Sequence, residues 1–151
     1  MIQLIATIVI IASSVLLFGY WFRYACRLIL TAKTAHDYAS EVATANQLSF
    51  PEVQSCLPEG ASADLDRLRD SLDRDYAMIA YLLRHTAHLT ESQAAPERYI
   101  LAINYRVMRG CYRVSRRFSV DVARRVLEDM SLIVAHLANT MGEQAARAPA
   151  T

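Results

Sequence analysis

From residue 2 to residue 22 the chain carries no charge. The polar interruptions in that run are Gln3, Thr7, Ser13 and Ser14. A helix tolerates all four, because its backbone bonds are satisfied internally. Roughly 20 apolar residues span a bilayer core. Tyr20, Trp21, Phe22 and Tyr24 gather at one end, where amphipathic rings sit at the headgroups, and Arg23, Arg27 and Lys33 follow. The pattern predicts a transmembrane anchor over residues 1–30, with Tyr20, Trp21, Arg23, Tyr24 and Arg27 at the membrane interface.

Three other readings of this run fit less well. A cleaved signal peptide needs a basic leading segment and a shorter apolar stretch. Here nothing basic precedes the run except the α-amino group. A lipoprotein signal would use Tyr24-Ala25-Cys26, but Arg23 stands where such a signal needs Leu. A one-sided surface helix does not have an unbroken apolar circumference. All three nearby cations lie after the span, so the positive-inside bias puts the N-terminus outside and the rest in the cytoplasm of a bacterial inner membrane.

Beyond the anchor the period changes. Residues 31–48 lack Pro and Gly and are rich in Ala, which predicts a helical stalk continuing the anchor. Ser49-Phe50-Pro51 and Pro58-Glu59-Gly60 bound a loop over 49–61. Helical periodicity then fills a bundle over 62–144. A helix over 62–89 follows Ser62, with Asp64 and Asp66 in its first turn. Its inward face is Leu65, Leu68, Leu72, Tyr76, Ile79, Leu82 and Leu83. Pro96 opens a helix over 96–118. There Ile100, Ile103, Val107, Cys111, Val114 and Phe118 alternate steps of three and four, the spacing of a packing seam. The last helix runs from about Ser119 to Met141-Gly142. Val122, Val126, Leu127, Met130, Ile133, Val134 and Leu137 face inward, and Gly142 serves as the stop. Whether Ser119 caps a new helix or bends one rod is open. Residues 145–151 read as a frayed tail. The expected fold is all-α: one transmembrane helix extended by a stalk, then a small antiparallel helical hairpin or bundle.

The helix over 96–118 has more than one functional face. Arg106, Arg109, Arg113, Arg116 and Arg117 fall on one side. Asp66, Asp70 and Asp73 form a matching acidic stripe on the preceding helix. An antiparallel hairpin sets Asp70 and Asp73 near the level of Arg113 and Arg116, so the stripes can neutralise each other. Leu101, Tyr105, Met108 and Tyr112 make a second apolar row. Either another bundle helix covers that row, or it is a docking surface with the arginines beside it, since Tyr, Met and Arg are enriched at interface cores. On the second reading the partner-binding residues are Tyr105, Met108, Tyr112, Arg106, Arg109 and Arg113.

Composition narrows the chemistry. The 151 residues carry a net charge of +1, so no global field selects nucleic acid. Of the 16 basic residues only Lys33 is a lysine, which weakens each single Arg as a sign of phosphate recognition. The three cysteines, Cys26, Cys56 and Cys111, are too few and too scattered for a disulfide framework. His85, His88 and His136 are weak metal candidates, because no Glu-x-x-His spacing accompanies them. No phosphate loop, His-Glu-x-x-His or Cys-x-x-Cys motif is present. The expectation is a protein without catalysis or cofactor, whose partners are the lipid bilayer and other membrane subunits or a second copy of itself. It would act as a structural or accessory subunit of a larger inner-membrane assembly. The alternative is a membrane-tethered adaptor that recruits a soluble cytoplasmic partner.

Overall fold

The computed structural model describes residues 1–31, 37–58, 64–86 and 95–147. It is all-α, with helices α1 (Ile2–Thr31), α2 (Ala39–Asn46), α3 (Phe50–Cys56), α4 (Leu65–Thr86), α5 (Ala95–Phe118) and α6 (Val120–Arg147). The chain divides into two compact units, Met1–Ala32 and Lys33–Thr151.

The first unit is α1, 30 residues long with a mean hydropathy of 2.4 over its most apolar stretch. It is long and apolar enough to cross a membrane. Two of the polar side chains in its uncharged run bond back within the helix. Thr7 Oγ1 donates to the Gln3 carbonyl at 2.9 Å and Ser14 Oγ to the Ile10 carbonyl at 2.8 Å. Hydroxyls bonded back four residues leave little for lipid to desolvate. At the far end Trp21 and Tyr24 meet edge to face, with ring centroids 6.0 Å apart.

The second unit is organised around α6. Helices α2, α3, α4 and α5 all pack on it. Its buried residues include Ala123, Leu127, Met130, Ile133, Val134, Leu137, Ala138 and Gly142. Small residues alternate with large ones, so neighbours can approach from several sides. Against this rod α4 buries Leu65, Leu72, Ile79 and Leu83, as its period predicts. Ser119 separates α5 from α6: its Oγ accepts from the Val122 N–H at 3.4 Å, and its carbonyl begins the new ladder at Ala123. The two are therefore distinct helices, and α6 returns along α5.

The structure corrects four expectations. The stalk over 31–48 is not one continuous rod. Asp37 and Tyr38 are non-helical, and α2 begins at Ala39 with Ala39, Val42 and Ala43 buried. It is held by the Tyr38 N–H, which donates to Asn139 Oδ1 at 2.7 Å. It ends at Gln47, whose φ of 52° and ψ of 44° are left-handed, with the Leu48 N–H reaching back to the Ala43 carbonyl. The presumed loop over 49–61 contains α3. Pro51 stands in its first turn, and the buried Asp75 of α4 accepts the Ser49 N–H at 2.7 Å. Burial raises the Asp75 carboxyl, while the backbone bonds from Ser49 and Phe50 pull it down. Gly142 is no stop, since α6 runs on to Arg147 and Gly142 lies inside it against Tyr38 and Val42. The fourth correction concerns α5.

Candidate interaction face

Two apolar rows on α5 compete for the core. The row spaced as a seam loses: Val107, Val114 and Phe118 are 46 %, 60 % and 83 % exposed, and Cys111 is exposed too. The second row, for which cover by another bundle helix and docking of a partner were both open, wins. Leu101, Tyr105, Met108 and Tyr112 are each at most 2 % exposed. Tyr105, Met108 and Tyr112 are thus core residues and not a free partner-binding surface.

The acidic helix explains the exchange. Tyr105 donates its hydroxyl to Asp73 Oδ1 at 3.0 Å, and Arg109 Nε sits 3.0 Å from Asp73 Oδ2. Seven residues away on both helices the arrangement repeats. Tyr112 donates to Asp66 Oδ1 at 3.0 Å, and Arg116 Nε lies 3.8 Å from Asp66 Oδ2. Asp73 and Asp66 therefore each take one tyrosine and one arginine from α5. The pairing fixes an antiparallel register, and Arg98 Nη1, donating to the Leu83 carbonyl at 3.3 Å, continues it. Tyr76 stacks on Tyr105 with centroids 3.9 Å apart and planes 5° from parallel, and Arg69 lies over the Tyr112 ring at 5.6 Å. A buried tyrosine needs a partner for its hydroxyl; an Ile or Val seam offers nothing to Asp66 and Asp73. Burial pushes both phenols up, with the carboxylates adding to it, and Tyr112 reaches about 12.

The expected neutralisation of stripes is present in altered form. Asp73 and Asp66 pair with Arg109 and Arg116, whereas Asp70 is bound by Arg69 of its own helix. Arg106, Arg113 and Arg117 are exposed and form no ion pair among the described residues.

The remaining surface of α5 follows. Going round the helix, Asn104, Met108 and Leu101 are buried, then Tyr112, Tyr105, Arg116 and Arg109 meet α4. The free arginines come next, and last the row Ile103, Val107, Cys111, Val114 and Phe118, which returns to the edge of α6. Val122, at the start of α6, is 47 % exposed and lengthens the patch at the hairpin tip. From Ile103 to Phe118 the row is roughly 22 Å long, apolar, and bordered on one side by Arg106, Arg113 and Arg117.

Asn104 is buried, and its Oδ1 has no partner among the described residues. An orphaned buried acceptor costs about 1–3 kcal/mol. Asn104→Leu is therefore expected to raise stability by about 1 kcal/mol, read as a higher midpoint in thermal unfolding of the detergent-solubilised chain.

Two of the three candidate histidines, His85 and His136, lie among the described residues. His85 is exposed, its Nδ1 2.9 Å from the Tyr81 carbonyl, and His136 is half-buried on α6. His88 lies outside the described residues. Among the described residues no three of His, Cys, Asp and Glu come together. Burial holds the His136 imidazole below its ordinary value, with Glu97 and Glu143 pulling the other way. As pH falls below about 6.5 the unfolded chain takes its proton first, so folding stability falls through that window. Thermal midpoints measured from about pH 7.5 down to about pH 5.5 should drop in the native chain and flatten in His136→Gln.

No protein-family model matches this chain, nor does any curated protein or solved structure. The site's own geometry carries the functional argument.

Proposed function

We propose that the chain is a non-catalytic, single-pass membrane protein, a structural or accessory subunit of an inner-membrane assembly that works through helix packing. In this reading α1 is the anchor and the bundle lies in the cytoplasm. The face offered to a protein partner is the outer row of α5, not the tyrosine row. The single observation that carries the reading is that row: Val107, Cys111, Val114 and Phe118 are left exposed, and Ile103 half-buried beside them, by a bundle that has already chosen its core. Exposed apolar patches rimmed by polar residues mark interaction sites as they grow beyond a few hundred Å². Arg106 and Arg113, free beside it, supply the polar rim such interfaces use.

The test is native mass measurement after mild-detergent extraction. The native chain should travel with other protein mass, and Val107→Asp with Val114→Asp should release it as a monomer of unchanged helicity. A native chain that is already monomeric sinks the proposal. The adaptor alternative differs in what co-purifies: a soluble protein lost on washing the membranes rather than an integral one. Orientation is tested at Cys111, exposed on the bundle. An impermeant maleimide should label it only after the cells are permeabilised.

A further inference from the structure

We infer that the turn of the α5–α6 hairpin docks on the headgroup surface of an anionic phospholipid bilayer. Its apolar end enters the interface, and the arginines behind that end grip lipid phosphates. The inference goes beyond the protein contact proposed above. It rests on α1 as the anchor and leaves Val107 and Cys111 to that contact.

Residues 113–125 hold five arginines and a single acid, Asp121. In the same stretch Val114, Phe118, Val120 and Val122 are all exposed. The chain folds back at Ser119, so Arg113 on α5 and Arg125 on α6, each six residues from the turn, stand at one level. Arg113, Arg117 and Arg125 are exposed and form no ion pair among the described residues. Uncommitted guanidiniums on both limbs of a hairpin suit a surface that is negative everywhere better than one matched carboxylate. The guanidinium fork also takes phosphate oxygens two at a time.

The order of groups along the hairpin matches the layers of a bilayer. Phe118 and Val120 stand at the turn, Val114 and Val122 within roughly 8 Å of it, and Arg113 and Arg125 roughly 9 Å back. Interfacial helices sink about 5–10 Å into the boundary of headgroups and acyl chains. The apolar side chains fall inside that depth, and the long arginine stems return their charged heads to the phosphates. The acids at this end are paired or set back. Asp121 meets Arg124 at 4.0 Å. Glu128 lies roughly 14 Å from the turn, behind the arginines. Helix α4 meets α5 on the Tyr112 and Arg116 side, away from the outer row. Its own acids are engaged there. Asp64 accepts the Asp66 and Arg67 N–H groups at 3.2 and 3.4 Å, Asp66 takes Tyr112 and Arg116, and Asp70 takes Arg69.

Helix α1 is long and apolar enough to cross a membrane. A chain so anchored meets its own bilayer at high effective concentration, so a docking surface as small as one hairpin turn suffices. Each arginine near an anionic leaflet raises affinity roughly fivefold. Three of them give a preference for anionic over neutral bilayers of about a hundredfold.

The experiment uses the full chain, one copy per lipid nanodisc. The discs are phosphatidylcholine alone, or phosphatidylcholine with an equal share of phosphatidylglycerol. Cys26→Ser, Cys56→Ser and Cys111→Ser remove the native thiols. A bimane is then attached at one introduced cysteine: V120C at the turn, Y99C at the other end of α5, or L16C within α1. Nitroxide on the lipid acyl chains is the quencher. The V120C label should be quenched in the phosphatidylglycerol discs and about tenfold less in phosphatidylcholine, with no quenching at Y99C in either. Arg113→Gln with Arg117→Gln and Arg125→Gln should cut the V120C signal about tenfold. Salt at about 1 M, where the Debye length is about 3 Å, should do the same. Phe118→Asp should abolish it. Circular dichroism checks that each variant keeps its helicity. Three outcomes overturn the inference: a V120C label that stays in water in both discs, equal quenching in both discs that the arginine variant leaves unmoved, or shielding of V120C found only in native membranes, the mark of a protein on the turn. Quenching at L16C without quenching at V120C keeps the anchor and sinks the docking turn. Quenching at V120C alone does the reverse, and quenching at neither sinks both.

Discussion

Tyr105→Ala is expected to destabilise the bundle by about 3–5 kcal/mol, the usual loss for a large buried aromatic. The side chain is 2 % exposed, stacks on Tyr76 and binds Asp73. Its removal leaves a cavity, strips Tyr76 of its stacking partner and leaves Asp73 to Arg109 alone. Small domains are stable by only about 5–15 kcal/mol, so adding Tyr112→Ala should unfold the second unit outright. Denaturant titration followed by far-ultraviolet circular dichroism measures both. Tyr105→Phe separates the contributions, since it keeps the stack and loses only the hydroxyl bond, an expected cost of about 1–2 kcal/mol. Were this row a docking surface, the Ala variants would melt like the native chain and fail only in partner binding.

Gly142→Ala is the second large effect. A methyl group there would overlap Tyr38 Cβ and lie 3.0 Å from Tyr38 Cγ and 3.2 Å from Val42 Cγ2. The first of these atoms is fixed to the backbone and cannot swing away, so α2 must lift off α6. Overpacking of this kind costs about 1–3 kcal/mol. The lift also strains the bond from the Tyr38 N–H to Asn139. The same substitution at Gly110, where an added Cβ meets nothing within 4 Å, should instead gain about 0.5–1 kcal/mol through helix propensity. Opposite signs for one chemical change, read as shifts in thermal midpoint, would show that close approach of α2 and not glycine's flexibility is what Gly142 provides.

Much of the architecture is legible in the residue pattern. The uncharged run ending in aromatics and arginine marks α1. The existence of α4 and α5 follows from Pro96 and the apolar period, while the predicted ends at Ser62 and Leu89 lie outside the described residues; the inward face of α6 is right at every predicted position except Val122. Less legible are α2 and α3. Both are short, seven or eight residues, and are held by distant groups, Asn139 and Asp75, that no local signal connects to them. Gly142 shows the same limit, because a glycine near a helix end looks like a stop whether or not another helix rests on it.

The candidate face is where period alone misleads. Both rows of α5 have helical spacing and comparable hydrophobicity, so the sequence by itself determines that α5 has two apolar faces and an arginine stripe. Only the tertiary structure decides which row is buried. The hydroxyls of Tyr105 and Tyr112 need acceptors once out of water, and Asp73 and Asp66 stand one heptad apart on α4 to supply them. That match turns α5 so that the better-spaced row of Val107, Cys111, Val114 and Phe118 is left facing outward.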